Sequence, residues 1–207
     1  MKEKNEEKIN IETKEVKIIL LGETGVGKTS IINRFINNKF INDTLVTLGS
    51  SFSSKEIKKY NVKYRLKIWD TTGQEQYHSI TNLYIKGSNI VILIYSIDSL
   101  NSFEQLNYWY SAVKEKLDDD KHIVCVVGNK SDLKNNMVVN EEEGKKFATE
   151  KKCLFKLVSA KEDPESINKL FDVLLEELTK INFESRTESY IIQKKTKKKK
   201  KQKQCSC

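Results

Sequence analysis

The sequence predicts an α/β fold, a doubly wound and mostly parallel six-stranded sheet with one antiparallel edge strand and about five helices. Two observations predict it. Apolar, strand-like runs alternate along the chain with segments of helical periodicity, and the first run ends in a glycine-bearing turn that opens a helix. Val16 to Leu21 is a continuous apolar run ending at Gly22, as expected of a buried strand, and a helix should follow from about Lys28 to Asn37. Further strand-like runs lie at Ser51 to Lys59, Tyr64 to Trp69, Ile90 to Tyr95, His122 to Val127 and Cys153 to Val158. Helical patterns lie near Phe103 to Leu117, Asn140 to Glu150 and Glu165 to Ile181. The stretch from Asn61 is a hairpin return, which makes one edge strand antiparallel. No internal repeat is present.

A length of 207 residues suits one domain with a substantial core, expected over residues 15–181 between an N-terminal extension (1–14) and a tail (182–207). The formal charge of +8 is localised. Lys194, Lys195, Lys197 to Lys201 and Lys203 are eight lysines, and no acid follows Glu188. Removing them from the 37 basic residues leaves 29, equal to the 29 acidic ones, so the body is balanced and the net charge sits on the tail. That tail has the composition of a disordered segment.

Four cysteines, two of them (Cys125 and Cys153) in apolar runs, do not make a secreted disulfide framework and fit a reducing cytosol. No window approaches the roughly 18 apolar residues a spanning helix requires, and Met1 to Glu15 has no apolar stretch of a secretory signal. Lys2 after Met1 argues against N-myristoylation, so membrane attachment is expected from the other end.

Gly22-Glu-Thr-Gly-Val-Gly-Lys-Thr29 matches G-x-x-x-x-G-K-[ST] in the strand-to-helix setting that motif requires, and points to a P-loop NTPase. Glycines let backbone N–H groups close around phosphate oxygens, and the positive helix end adds to the attraction. Lys28 supplies a point charge to the β- and γ-phosphates, and the Thr29 hydroxyl can ligate Mg²⁺. Asp70 ends a strand and precedes Thr71-Thr72-Gly73-Gln74-Glu75. A strand-ending Asp alone is commonly a cap or turn former. Beside a phosphate loop, at the carboxyl end where such sheets bind ligands, it reads as a holder of Mg²⁺ through water.

Asn129-Lys130-Ser131-Asp132 and Ser159-Ala160-Lys161 each follow a buried strand. A carboxylate can accept two hydrogen bonds from guanine N1–H and the 2-amino group, a pair adenine does not offer. Asp132 is therefore the guanine selector, and a wrong base would leave its charge unsatisfied, although N-K-x-D by itself equally fits an ordinary turn.

Over roughly residues 15 to 181 the chain resembles the Ras superfamily, and within it the Rab family. The segments that carry the resemblance are Leu48-Gly-Ser-Ser-Phe52, Ile68-Trp-Asp-Thr-Thr-Gly-Gln-Glu75, Gln76-Tyr-His-Ser-Ile-Thr81, Tyr84-Ile-Lys-Gly-Ser88 and Cys205-Ser-Cys207. Tyr-His-Ser most resembles the early-endosomal branch. The resemblance implies phosphate contacts over Glu23, Thr24, Gly25, Val26, Gly27, Lys28, Thr29, Ser30 and Gly73. It implies guanine contacts over Phe40, Asn129, Lys130, Asp132, Leu133, Ser159, Ala160 and Lys161, with the Ala160 N–H meeting the guanine oxygen and Phe40 covering the base edge. Phe40 also fits an ordinary core aromatic.

By the same resemblance Thr47 joins Thr29 and Asp70 at Mg²⁺ only when the γ-phosphate is present, so GTP and GDP bias an order-disorder equilibrium. Gln74 orients the attacking water, and the Gly73 N–H senses the γ-phosphate. Intrinsic turnover in such proteins is near 10⁻⁴ per second, and an arginine from an activating partner adds up to about 10⁵-fold. Arg34 lies on the first helix and Arg65 in a strand, so neither is an internal arginine finger. Thr72 stands where alanine is usual, and Thr24 where many members have a smaller residue. Both are expected to slow hydrolysis, and Thr72→Ala is expected to raise it.

Phe52, Trp69 and Tyr84 form the implied effector surface, although Trp69 fits core packing as well. Cys205 and Cys207 resemble a doubly geranylgeranylated Cys-x-Cys ending rather than a C-a-a-X box. Two lipid chains and a lysine run are cooperating membrane signals, each lysine near an anionic leaflet adding about 1 kcal/mol. The implied partners are an exchange factor, a GTPase-activating protein, effectors, prenylation escort and GDP-dissociation inhibitor proteins, and an anionic membrane surface. Nucleic acid is not expected. The function implied is a GTP-hydrolysing switch in vesicle trafficking on the cytoplasmic face of an intracellular membrane, with endosomes favoured. The alternatives are a hydrolysis-deficient GTP-bound scaffold, or a nuclear or nucleic-acid-associated GTPase whose lysines act as an import signal or a nucleic-acid contact.

Overall fold

A computed structural model describes residues 12–42, 47, 49–59, 61–73, 83–117 and 121–181. Gln74, the whole Gln76–Thr81 segment, Leu48, Cys205, Cys207, the lysine run and most of the N-terminal extension lie outside the described residues.

In chain order the elements are β1 (Thr13–Leu21), α1 (Lys28–Asn37), β2 (Ser50–Lys59), β3 (Val62–Thr71), β4 (Ile90–Ser96), α2 (Leu100–Glu104) and α3 (Leu106–Lys116). Then come β5 (Ile123–Asn129), α4 (Glu141–Glu150), β6 (Leu154–Leu157) and α5 (residues 164–181). The sheet order is β2-β3-β1-β4-β5-β6. β2 pairs antiparallel with β3 at the edge, and the remaining pairs are parallel. Fold class, strand number and the antiparallel edge are as the sequence predicts.

The two-residue period of the strands sorts their side chains into two cores. From β1, Val16, Ile18 and Leu20 join one cluster with Ile31 and Phe35 of α1 and Ile167, Leu170 and Phe171 of α5. Ile19 and Leu21 point the other way, to Trp109 of α3 and Phe147 of α4. Near-continuous apolar runs are what a sheet covered on both faces demands. Each such side chain contributes about 1.5–3 kcal/mol of burial. Phe35 and Phe171 stack with centroids 3.6 Å apart, locking α1 against α5.

Helix ends follow local chemistry. Asn140 accepts from Glu143 N at 2.9 Å while the Glu143 carboxylate accepts from Asn140 N at 2.8 Å, a full capping box for α4. Asp163 accepts from Ser166 N at 3.0 Å, just before Pro164 opens α5. The helix expected from Phe103 instead begins at Leu100, because the Ser99 side chain accepts from Ser102 N and starts it three residues earlier. It is interrupted once, at Gln105, between α2 and α3.

The turns that follow β1, β3, β5 and β6 all emerge at the carboxyl edge of the parallel strands, where β1 lies between the two directions in which the chain winds. A ligand crevice belongs at that switch point.

Candidate functional site

A cleft of about 420 Å³ opens at that edge, and the four turns contribute its walls. At one end is the phosphate loop. Gly27 has φ 94° and is the N-cap of α1, with no side chain capping the helix and no acid in its first turn. The first-turn N–H groups of α1 therefore keep their capacity for an anion. Glycine is required there twice over, since a Cβ on Gly27 would come within 2.3 Å of Asn129 Nδ2. Lys28 is buried, and its Nζ donates to the carbonyls of Gly22 (2.7 Å) and Glu23 (2.8 Å), which leaves the third ammonium proton. Burial pushes this ammonium down to about 8, against the pull of the Asp70 and Glu23 charges.

Three oxygens converge beside it. Thr29 Oγ1 donates to Asp70 Oδ2 at 2.6 Å and lies 3.0 Å from Thr47 Oγ1. With its single proton given to Asp70, Thr29 accepts from Thr47 and keeps a lone pair. Asp70 is 3% exposed, and its Oδ1 has no hydrogen-bond partner among the described residues. Burial raises its carboxyl above the usual range, opposed by the Thr29 hydrogen bond and the Lys28 charge. A buried, unpartnered carboxylate oxygen beside two hydroxyls is a donor set for a hard divalent cation, so these residues fit Mg²⁺.

At the other end, Asp132 Oδ1 accepts from Ser159 Oγ at 2.5 Å, and Ser159 Oγ accepts from Glu162 N at 2.9 Å, which fixes the carboxylate. Phe40, Lys130, Leu133, Ala160 and Lys161 line this end. Asn129 lines it too, and its amide also meets protein: Nδ2 donates to Val26 O (2.8 Å) and Oδ1 accepts from Ala160 N (3.3 Å). It thereby ties the phosphate loop to the base loop. Lys130 has φ 63°, and its ammonium pairs with Asp98 Oδ2 at 3.6 Å.

Of the sequence-predicted residues, Thr24, Gly25, Gly27, Lys28, Thr29, Ser30, Thr47 and Gly73 also line the cleft. Glu23, Val26, Asp70 and Ser159 are not in its lining and support it from behind. Gly73 is packed so closely that a Cβ would lie 2.2 Å from the backbone of Glu23 and Thr24. The side chain of Glu23 accepts from Trp109 Nε1 at 3.1 Å, which braces the phosphate loop on α3.

Residues 17–180 match the Ras family. Human "Ras-related protein Rab-17" is 38% identical over 162 residues, covering 78% of this chain and 76% of its own length. The chain belongs to the Ras family and is a small GTPase of the Rab type. Dictyostelium discoideum "Ras-related protein RabC" is 38% identical over 164 residues, covering 78% of this chain and 83% of its own. A "Probable Rab-related GTPase" of Acanthamoeba polyphaga mimivirus is 36% identical over 188 residues, covering 89% and 86% respectively.

Several residues of this GTPase site escape sequence reasoning. Asn42 and Thr71 line the cleft, and Asp98 orients Lys130. Asp98 follows the carboxyl end of β4, the same positional signal that singles out Asp70.

Away from the cleft, Phe52, Trp69 and Tyr84 form a contiguous aromatic strip. Phe52 meets Trp69 edge-on at 5.3 Å, and Trp69 meets Tyr84 at 4.8 Å. Phe52 is 51% exposed, while Trp69 and Tyr84 also pack against the core.

The two threonines expected to slow hydrolysis are separated by their surroundings. Thr24 is exposed and lines the cleft. Thr72 is 1% exposed, is not in the cleft lining, and donates its backbone N–H to Gly49 O at 2.8 Å. We expect Thr24→Ala to raise single-turnover GTP hydrolysis by about 3- to 10-fold, the worth of one modest hydrogen bond. Thr72→Ala should leave it within about twofold. A rise confined to Thr72→Ala would reverse this assignment.

Proposed function

We propose that this Rab-type GTPase hydrolyses GTP to GDP and phosphate as a switch that recruits effectors during vesicle trafficking. The observation that carries the reading is one continuous cleft, with Lys28 and the open N-terminus of α1 at one end and Asp132 held by Ser159 at the other. Its phosphate end offers N–H groups and an ammonium, and its far end offers a carboxylate positioned for a base with two adjacent donors.

In this reading residues 15–181 form the GTPase domain. The phosphate loop from Glu23 to Ser30 binds the phosphates, and Asp132 selects guanine. Phe40, Asn129, Lys130, Leu133, Ser159, Ala160 and Lys161 shape and hold the base end. Thr29, Thr47 and Asp70 would hold Mg²⁺, which when bound would offset charge on the phosphate oxygens. Gln74 orients the attacking water, the water oxygen forms the new bond to the γ-phosphorus as the bond to the GDP oxygen breaks, and the water's proton leaves on the released phosphate. Lys28 stabilises the charge that develops on the phosphates, and Gly73 registers whether the γ-phosphate is there. Thr47 and Gly73 stand on the two segments that the γ-phosphate would hold.

Effectors then read Phe52, Trp69 and Tyr84 beside those segments. Exchange, activation, prenyl escort and membrane extraction fall to separate proteins. Lipids on Cys205 and Cys207, together with the eight tail lysines, place the GTPase on an anionic cytoplasmic leaflet, endosomal by the Tyr77-His-Ser79 segment.

Single-turnover hydrolysis of GTP with Mg²⁺ tests the enzymatic part. Wild type should turn over slowly, on the order of 10⁻⁴ per second, and Gln74→Leu should abolish turnover. GTP that survives intact on the wild type would instead make the protein a constitutive scaffold.

A further inference from the structure

Arg34 is on α1 and outside the cleft lining, yet its guanidinium reaches both sides of the base end. Nε donates to the Ala160 carbonyl at 2.8 Å, and Nη2 donates to the Lys161 carbonyl at 3.0 Å. Nη1 turns the other way and donates to the Asn38 carbonyl at 2.9 Å. Asn38 is the left-handed C-cap of α1, its N–H bonded to Arg34 O at 3.0 Å, and Phe40 follows two residues later. One planar group thus clamps the Ala160–Lys161 turn and the segment that delivers Phe40. The Nη1 and Nη2 bonds are exposed, so water could satisfy the Asn38 and Lys161 carbonyls if Arg34 were lost. Their main effect is therefore on geometry rather than on satisfying buried groups. Because α1 starts in the phosphate loop, the same helix joins the two ends of the cleft.

We infer that Arg34 is a positioning residue for guanine recognition, holding the Ala160 turn and the Phe40 segment in register so that the Ala160 N–H, whose contact with Asn129 Oδ1 is a long 3.3 Å, is shared with the carbonyl oxygen on the base. This rests on the proposed base site. It also assigns Arg34 a part that its place on the first helix does not suggest. A lysine keeps the charge but is a point donor that cannot bridge three carbonyls in two segments.

The test is release of GDP, 6-thio-GDP and inosine diphosphate from the full chain, for wild type, Arg34→Lys, Arg34→Ala and Asp132→Asn. Sulfur weakens the acceptor that Ala160 addresses, and inosine lacks the 2-amino group that Asp132 addresses. Arg34→Lys should speed GDP release by about tenfold, the loss of a charge-assisted contact. It should also shrink the preference for GDP over 6-thio-GDP while keeping the preference for GDP over inosine diphosphate. Arg34→Ala should go further in the same direction, and Arg34→Lys carries the test if Arg34→Ala does not fold. Wild-type release from Arg34→Lys, or equal acceleration of all three nucleotides with a lowered melting temperature, would overturn the inference. Asp132→Asn separates the two levels, since it should lose the preference for GDP over inosine diphosphate. If it does not, the base-site reading fails and the role of Arg34 falls with it.

Discussion

Asp132→Asn is expected to weaken GDP binding on the order of 10³-fold and to create binding of xanthosine diphosphate. A carboxylate held by Ser159 at 2.5 Å is an acceptor fixed in place, suited to two donors on one base edge. An amide keeps the shape but offers one acceptor and one donor, so guanine's 2-amino group meets an N–H and both lose their partner. Xanthine carries a carbonyl there, which the amide can address. The cost is large because the mismatch sits in a partly dry site, where an unpaired polar group is expensive. Competition binding with GDP and xanthosine diphosphate checks it. Unchanged preference for GDP would remove Asp132 from base selection.

Lys28→Ala is expected to weaken GDP and GTP alike by about 10²- to 10³-fold, the usual cost of deleting one member of a buried charged contact. Two effects act together. The ammonium is lost from the phosphate end, and the carbonyls of Gly22 and Glu23, which it bridges at 2.7 and 2.8 Å, lose the donor that shapes the loop. Equilibrium binding reads the loss, and melting of the nucleotide-free protein shows whether the fold is kept. A variant that melts normally and still binds GDP as wild type would place the phosphates elsewhere.

Much of this was legible in the sequence, for identifiable reasons. α1 spans Lys28–Asn37 as predicted, because Gly27 before it and Asn38 after it are residues that accept left-handed backbone. β1, β4 and β5 stand out as apolar runs because both sheet faces are covered. The start of α2 was missed because Ser99, a polar cap, is invisible to apolar periodicity. The cleft's supports were missed for another reason. Arg34 lies 126 positions from Ala160 and Asp98 lies 32 from Lys130, so no spacing rule joins them. Thr24 and Thr72 looked equivalent as hydroxyls near the γ-phosphate, and only burial separates them. Asn129 was expected on the base. Its amide also meets Val26 and Ala160, partners that depend on how β5 and β6 lie against the phosphate loop and that no spacing rule shows.

The most direct measurement is the identity of what the cleft holds. The full chain is purified without added nucleotide, denatured in acid, and the released small molecules are separated and quantified against protein. GDP or GTP in near-equal moles with the chain is the predicted result. An adenine nucleotide in its place, or no nucleotide together with no guanine binding on titration, would contradict the site built from Lys28, Thr29, Asp70 and Asp132.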